Sequence, residues 1–152
     1  MVARFLLLII LGTLNFQHAV AQSNLMGSSG IMGKLQNIID KTEERGGLEV
    51  VRIEADVIRV SKESVRTLDP AYTHTIAAVG SNHIKHIEIE VYQEINRKWV
   101  LVQKDDDDSV AVVAITPSSM AEYKIVVKVP QFFSGHTAGH YGLIFIIEEK
   151  IK

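Results

Sequence analysis

The stretch HIKHIEIEVY, residues 83–92, alternates apolar and polar side chains with a period of two. In an extended chain Ile87, Ile89 and Val91 fall on one face, and Glu88 and Glu90 fall on the other. Such alternation predicts a β-strand with one face in a core and the other outside it. Residues 83–92 therefore favour a fold made of sheets that are buried on one side.

Similar segments rich in β-formers follow one another along the chain, with turn residues between them and no helical period. They are LEVVRIEADVIRV (48–60), AYTHTIAAVG (71–80), KWVLV (98–102), VAVVAIT (110–116), YKIVVKV (123–129) and YGLIFIIEE (141–149). Their number predicts an all-β protein, a jelly-roll-like β-sandwich of seven or eight antiparallel strands. The single tryptophan, Trp99, is expected in the core.

The first of these segments contains a break in its alternation. Val51, Ile53, Ala55 and Val57 share one face, which we expect to point inward, but Ile58 falls out of phase with them. A β-bulge or bend near residue 58 would restore the phase.

The amino-terminal residues 1–21 have the layout of a secretory signal peptide. Arg4 precedes an apolar run of about a dozen residues, and the segment ends in Ala19-Val20-Ala21. Cleavage is expected before Gln22, which predicts a secreted or periplasmic protein with no membrane span after signal cleavage, because the apolar run is shorter than the roughly 20 residues a span needs. The chain has no cysteine, so disulfides and thiolate metal sites are excluded.

A helical pattern follows a serine- and glycine-rich leader. The apolar residues at helical spacing are Ile31, Leu35, Ile38 and Ile39. They predict one amphipathic helix over residues 31–45, ended by Gly46-Gly47. The expected organisation is thus a signal peptide over 1–21, a leader and helix over 22–47 and a β-sandwich domain over 48–152. The helix is too short to be stable alone, so it docks on the sandwich or on another chain.

Charge argues against one class of partner. The first 21 residues hold one of the 16 basic residues and no acidic one, so 15 basic residues remain against 18 acidic ones, a net charge of −3. No basic stripe is available to replace the counterions of a phosphate backbone, and we expect no nucleic-acid partner.

Residues 65–149 resemble the pre-peptidase C-terminal domains of bacteria and related small secreted β-sandwich proteins. The resemblance rests on YTHTIAAVG, IKHIEIEVY, KWVLVQKDDDD, VAVVAITPSSMAEYKIVVKV and SGHTAGHYGLIFIIEE in succession. It implies a jelly-roll accessory module of a secreted enzyme, sometimes binding calcium or an extracellular polymer. The chain departs from the family because only the short helical segment, and no catalytic domain, precedes the module.

Four consecutive aspartates, Asp105, Asp106, Asp107 and Asp108, follow a predicted strand. They are either the solvated turn of a hairpin or part of a calcium site. Calcium needs six to eight oxygen ligands, usually from alternating loop positions with a glycine at the turn. This run has no glycine, and adjacent side chains of an extended chain point to opposite sides, so further ligands would have to come from another loop.

Histidines offer a second set of metal ligands. Five follow the signal peptide: His74, His83, His86, His136 and His140. The spacings of His83 with His86 and of His136 with His140 leave open a zinc or copper site or purely structural roles. No nucleophile motif is present, and Glu88 and Glu90 are expected on a solvated strand face, so we expect no enzymatic activity.

The segment PQFFSGHTAGHYG, residues 130–142, is the longest break between strands. The candidate ligand-binding residues are Phe132, Phe133, His136, His140 and Tyr141. Of the two adjacent phenylalanines one is expected to face the core and the other the surface. Loops on a rigid scaffold carry binding residues, but the segment could instead plug the end of the sandwich.

These observations predict a secreted, non-catalytic binding or accessory protein of the bacterial cell envelope or exterior. Its partner would be an extracellular protein or polysaccharide, and no cofactor is expected unless the aspartates bind calcium. Two alternatives remain: a metal-dependent secreted protein that uses the histidines and aspartates with calcium, zinc or copper, and a subunit of an envelope assembly that docks through its helix.

Overall fold

The computed structural model describes residues 30–106 and 109–150. One helix, α1, spans residues 30–45. Eight strands follow it: β1 (Leu48–Ile58), β2 (Ser61–Leu68), β3 (Tyr72–Gly80), β4 (Ile84–Ile95), β5 (Lys98–Asp105), β6 (Val110–Ile115), β7 (Ala121–Phe132) and β8 (Gly139–Glu149). The predicted helix is confirmed, whereas the predicted signal peptide lies outside the described residues. In the part of the chain that the structure describes, no helix is both long and apolar enough to cross a membrane.

The strands form two four-stranded antiparallel sheets, with the orders β1-β8-β3-β6 and β2-β7-β4-β5. Only β4 and β5 are consecutive strands that pair in one sheet; every other connection crosses to the opposite sheet. This is the strand order of a jelly roll, and it confirms the predicted fold class. We call the two sheets the β8 sheet and the β7 sheet.

The main core lies between the sheets. Ile87, Ile89 and Val91 of β4 are fully buried there against residues of β3, β6 and β8, as their alternation predicts. Burial at roughly 25 cal/mol per Å² of apolar surface makes this core the dominant stabilising contribution. The prediction for Trp99 is wrong: 37% of the residue is exposed, because its ring lies beside Lys124 and Tyr92 on the outer face of the β7 sheet, away from the core.

The prediction for the inward face of β1 is also wrong. Val51, Ile53 and Val57 are exposed large apolar residues, and Ala55 is exposed as well. The inward face instead carries the charged residues of β1 together with Ile58, which pairs with Gly139 and is fully buried. The register shift lies between Val50 and Arg52 and not near residue 58. The break in the alternation therefore reflects charged side chains that point inward at the edge of the sandwich.

Helix α1 packs on the outer face of the β8 sheet. Ile31 and Leu35 are buried against Val79, Ile144 and Ile146, which form a second apolar cluster. The helix approaches β8 closely at Gly142, where an added Cβ would lie 2.7 Å from Leu35. The apolar stripe of the helix is thus used within the chain, and the helix is not left free to dock on a partner through that stripe.

Candidate functional site

Four connections meet at one end of the sandwich, which we call the upper end. They are residues 59–60, 81–83, 106–109 and 133–138, of which 107 and 108 lie outside the described residues. Backbone hydrogen bonds tie three of them together: Gly80 N donates to Ser109 O over 3.0 Å, Ser81 N to His140 O over 2.9 Å and Phe133 N to His83 O over 3.0 Å. The upper end is therefore an ordered surface built from segments distant in sequence.

The connection between β7 and β8 places its two phenylalanines differently. Phe132, the last residue of β7, packs against the core, whereas Phe133 is 49% exposed. His136 N donates to Phe133 O over 3.1 Å, and Gly135 between them has φ of 84°, a left-handed conformation that favours glycine. The prediction that one ring faces the core and the other the surface is confirmed. The tight turn fixes Phe133 at the surface.

Phe133 borders an open pocket of about 520 Å³, which we call the upper pocket. The other residues that line it are Lys34, Ser81, Asn82, Ile84, Lys85 and Ser109. Ser81 is almost fully buried, and its Oγ has no hydrogen-bond partner among the described residues. The Oγ itself is enclosed by the protein and lies close to Gly139.

Helix α1 contributes to this pocket through Lys34. Its Nζ donates a hydrogen bond to the carbonyl oxygen of Gly80 over 2.7 Å. An ammonium group has three donors, so two remain for water or a ligand. The contact also links the helix to the end of β3. Gly80 itself packs closely on Ile84, because a Cβ added at Gly80 would lie 2.8 Å from that side chain.

The histidines pair differently from the expectation based on spacing. His83 stacks on His136, with ring centroids 4.0 Å apart and planes 9° from parallel. Burial lowers the pKa of His83, and the nearby His136 and His140 lower it further, because two imidazolium charges would repel. The structure thus pairs His83 with His136, one member of each pair expected from spacing. His86 lies outside this stack, with its Nε2 3.0 Å from Asp106 O.

This stack does not form a chelate in its present geometry. An imidazole nitrogen binds a metal along a lone pair in the ring plane, and two nearly parallel planes do not meet at a common ion. Among the side chains that the structure describes, no three histidine, aspartate or glutamate residues are grouped to hold a metal. A zinc or copper site on these histidines requires rotation of one ring, and it stays a prediction.

The aspartate run is only partly described. Asp105 Oδ2 accepts a hydrogen bond from Val112 N over 2.6 Å, and Asp106 pairs with Lys104 at 3.2 Å. Asp107 and Asp108 lie outside the described residues. The first two carboxylates therefore already have partners within the chain, and the calcium site also stays a prediction.

Tyr141 and His140 lie apart from Phe133. Tyr141 is 6% exposed on the inward face of β8, where burial raises the pKa of its phenol. His140 is half-buried, and its Nδ1 has no partner among the described residues. Of the five candidate ligand-binding residues, Phe133 and His136 lie together on the surface of the upper end, while Phe132 and Tyr141 contribute to the core.

Glu88 and Glu90 of β4 are held by lysines. Glu90 accepts from Lys128 Nζ at 2.6 Å and from the Tyr92 hydroxyl at 2.5 Å, and Lys104 lies 3.7 Å from Glu88. Glu90 points outward, but these neighbours cover it, so the expectation of a solvated side chain is wrong for this residue. The hydrogen bond from Lys128, and then that from Tyr92, lowers the pKa of Glu90. A carboxylate held in its ionised form is unsuited to act as a general acid.

Comparison with known proteins shows the fold and no family. No protein-family model matches the sequence, and no curated protein matches it. Among solved structures, CorA of Methylomicrobium album BG8, a surface-associated copper-binding protein important in copper acquisition, has a TM-score of 0.52 and 9% identity, covering 61% of this chain and 91% of CorA.

Two further matches are more distant. PliG of Aeromonas hydrophila, a periplasmic inhibitor of g-type lysozyme, has a TM-score of 0.45 and 12% identity, covering 68% of this chain and 90% of PliG. The pre-peptidase C-terminal domain of the Bacillus anthracis collagenase has a TM-score of 0.40 and 12% identity, covering 60% of this chain and 85% of that domain. The structural neighbours thus include a pre-peptidase C-terminal domain and other small β-sandwich proteins, all at low sequence identity.

Proposed function

We propose that the protein is a non-catalytic binding protein of the cell envelope or exterior and that its ligand, a sugar unit of an extracellular polysaccharide, occupies the upper pocket. The observation that carries the proposal is the exposed ring of Phe133 at a pocket that is also lined by the polar residues Asn82 and Ser109. The signal-peptide pattern of residues 1–21 supports the compartment.

The chemistry of the pocket suits a sugar. One aromatic ring offers an apolar face to the C–H side of a pyranose, while Asn82 and Ser109 offer amide and hydroxyl groups to its hydroxyls. Lys34 and Lys85 add ammonium donors at the rim. Most of these groups belong to connections fixed by backbone hydrogen bonds, so little conformational entropy is lost when a ligand binds.

The same groups argue against catalysis at this site. Among the residues that the structure describes, those that line the upper pocket include no carboxylate, and His83 and His136 beside it stack on one another. Glu88 and Glu90 lie on the outer face of the β7 sheet with lysine partners. General acid–base work on a sugar commonly needs two free carboxyl groups flanking one bond.

The test is retention of the purified protein on insoluble chitin, cellulose and isolated peptidoglycan. We expect retention on at least one of them and a loss of at least about tenfold in affinity for Phe133→Ala, equivalent to about 1.4 kcal/mol. Since Phe133 is exposed, its truncation should change stability by no more than about 0.5 kcal/mol. Asn82→Ala should weaken retention as well, because it removes an amide group from the pocket.

Met120→Ala is the matched control, because Met120 is 65% exposed in the connection at the opposite end of the sandwich. Its retention should equal that of the wild type. EDTA should leave retention unchanged if the site uses no metal. Equal retention of Phe133→Ala and the wild type would contradict the proposal, as would wild-type protein that binds none of the three polymers.

A further inference from the structure

Strand β5 is an unusual edge strand. It is the last strand of the β7 sheet and pairs only with β4 among the described residues. Its four consecutive apolar residues, Trp99, Val100, Leu101 and Val102, are each between 37% and 49% exposed. Edge strands of monomeric proteins are normally short, charged or covered, because their free N–H and C=O groups pair with any strand that fits.

The adjacent edge strand of the other sheet also exposes apolar side chains, on the opposite face of the sandwich from Trp99 and Leu101. On β6, Val110 and Val112 are 39% and 45% exposed, and both lie on the outer side of the β8 sheet. Strands β5 and β6 lie side by side across the gap between the sheets, where Asp105 of β5 caps Val112 N. We call this side of the sandwich, formed by residues 98–105 and 110–115, the apolar edge.

Charges are distributed unevenly along β5. Arg97 and Lys98 lie at its start, and Asp105 and Asp106 lie at its end. If a second copy pairs antiparallel with β5 about a two-fold axis between Leu101 and Val102, Lys98 of one copy faces Asp105 of the other. Arg97, in the turn before β5 with φ of 61°, and Asp106, just after β5, then lie at the same ends of the pair. Opposite charges then meet at both ends of the pair, and the apolar residues meet at its centre.

The bulge in β5 makes this register consistent with the side-chain faces. Val102 has no partner in β4, because Gln103 pairs with Val91 and Leu101 pairs with Tyr92. As a result Lys98 and Asp105 lie on the same face of the sheet, although residues seven positions apart lie on opposite faces of a regular strand. Residues directly opposite in an antiparallel pair point to the same side, so without the bulge Lys98 and Asp105 could not face each other.

We propose that two copies of this chain associate through the apolar edge, with β5 pairing antiparallel to β5 of the second copy so that the two β7 sheets become one continuous sheet. The contact is isologous, so the same residues serve both copies and the assembly closes as a dimer. A second copy is the occupant that the charges fit, because β5 carries both members of each complementary pair.

The experiment measures the dissociation constant of the dimer by sedimentation velocity over a dilution series of the full-length purified protein. Arg97→Glu and Asp106→Lys should each raise the dissociation constant by at least about tenfold, since every change occurs twice across the two-fold axis. The combined variant Arg97→Glu with Asp106→Lys should restore the wild-type value, because the reversed charges again meet at the ends of the pair. Both positions are exposed, so the fold is retained, which circular dichroism checks.

Val100→Glu should also dissociate the dimer, whereas Val65→Glu is the matched control on the other side of the β7 sheet, where Val65 of β2 is 50% exposed. Wild-type protein that is monomeric throughout the series overturns the proposal. Dimers that dissociate equally with Val65→Glu and Val100→Glu also overturn it, as does a combined charge variant that stays as weak as the single ones.

Discussion

The two edges of the sandwich differ in the polarity of their side chains. At one edge, β1 and β2 turn charged side chains toward the gap between the sheets: Glu54 pairs with Arg66 and with Arg52, and Asp56 pairs with Lys62 at 2.7 Å. At the apolar edge, β5 and β6 leave valine, leucine and tryptophan at the surface. Within the described residues both edges end in strands that pair on one side only, so geometry alone does not separate them.

The difference shows how an open sandwich can control which side associates. Ion pairs between β1 and β2 join the two sheets within one molecule, and their charges are costly to desolvate against a foreign strand. At the centre of the apolar edge, residues 99–102, no charged side chain has to be desolvated when another strand pairs there. Association is therefore favoured at β5 and disfavoured at the charged edge, and each of the following predictions tests one side of this contrast.

The largest change in stability is expected at the charged edge. The side chains of Arg66 and Glu54 are 24% and 26% exposed, and the Arg66 guanidinium lies 5.0 Å from the centroid of the Phe145 ring. Breaking a fully buried pair costs about 3–5 kcal/mol and an exposed one less than about 1 kcal/mol, so Arg66→Ala should cost about 1–2 kcal/mol.

Urea unfolding at neutral pH measures this cost. A double-mutant cycle with Glu54→Ala separates the pair from the packing of Arg66 on Phe145, and we expect a coupling free energy of about 0.5–1 kcal/mol. Coupling indistinguishable from zero would mean that the charged edge is held by packing and that its ion pairs merely keep other strands away.

A smaller effect on stability is expected at the apolar edge. Leu101 is 49% exposed, so Leu101→Ala should change the free energy of unfolding of the monomer by no more than about 0.5 kcal/mol. Urea unfolding must be measured at protein concentrations below the dissociation constant of the dimer, because association adds apparent stability. A loss as large as that of Arg66→Ala would show that Leu101 belongs to the core of the single chain.

The sequence predicted the central strands better than the edge strands, for a physical reason. Alternation in β4 identifies Ile87, Ile89 and Val91 correctly because β4 has a neighbour on each side and a full sheet opposite. Alternation tells which residues share a face but not whether the opposite sheet extends over them. Trp99 lies on the outer face of its sheet. The charged face of β1 points inward because Lys62 and Arg66 of β2 balance its carboxylates, and such a pairing between strands is not visible in the alternation.

The candidate site was predictable only in part. Adjacent phenylalanines in extended chain must point to opposite faces, which is why the prediction for Phe132 and Phe133 is confirmed. The partners of Phe133, which are Ser81, Lys34 and Ser109, come from three distant segments. These segments meet because, in a jelly roll, the connections that follow the odd-numbered strands all lie at the same end of the sandwich. The strand order that produces this arrangement cannot be read from the alternation of apolar and polar residues.

The smallest effect concerns the pH dependence of the charged edge. The hydrogen bond from Lys62, followed by that from Val57 N, lowers the pKa of Asp56 from the ordinary value of 3.8. The unfolded chain therefore takes up this proton first as the pH falls, so the stabilisation is fully present well above pH 3.8 and is lost below it. Because Asp56 and Lys62 are about half exposed, solvent screening keeps the contribution small.

Asp56→Asn removes the titrating group while keeping an oxygen that can accept from Lys62 and Val57. The free energies of unfolding of wild type and variant should differ slightly at neutral pH, and the difference should shrink as the pH falls below about 4, where the wild-type carboxylate loses its charge in the unfolded state first. Urea unfolding of both proteins across this range is the measurement. A difference that stays constant with pH would show that the Asp56 carboxylate has no preferential interaction in the folded state, and the charged edge would then depend on Glu54 and Arg66 alone.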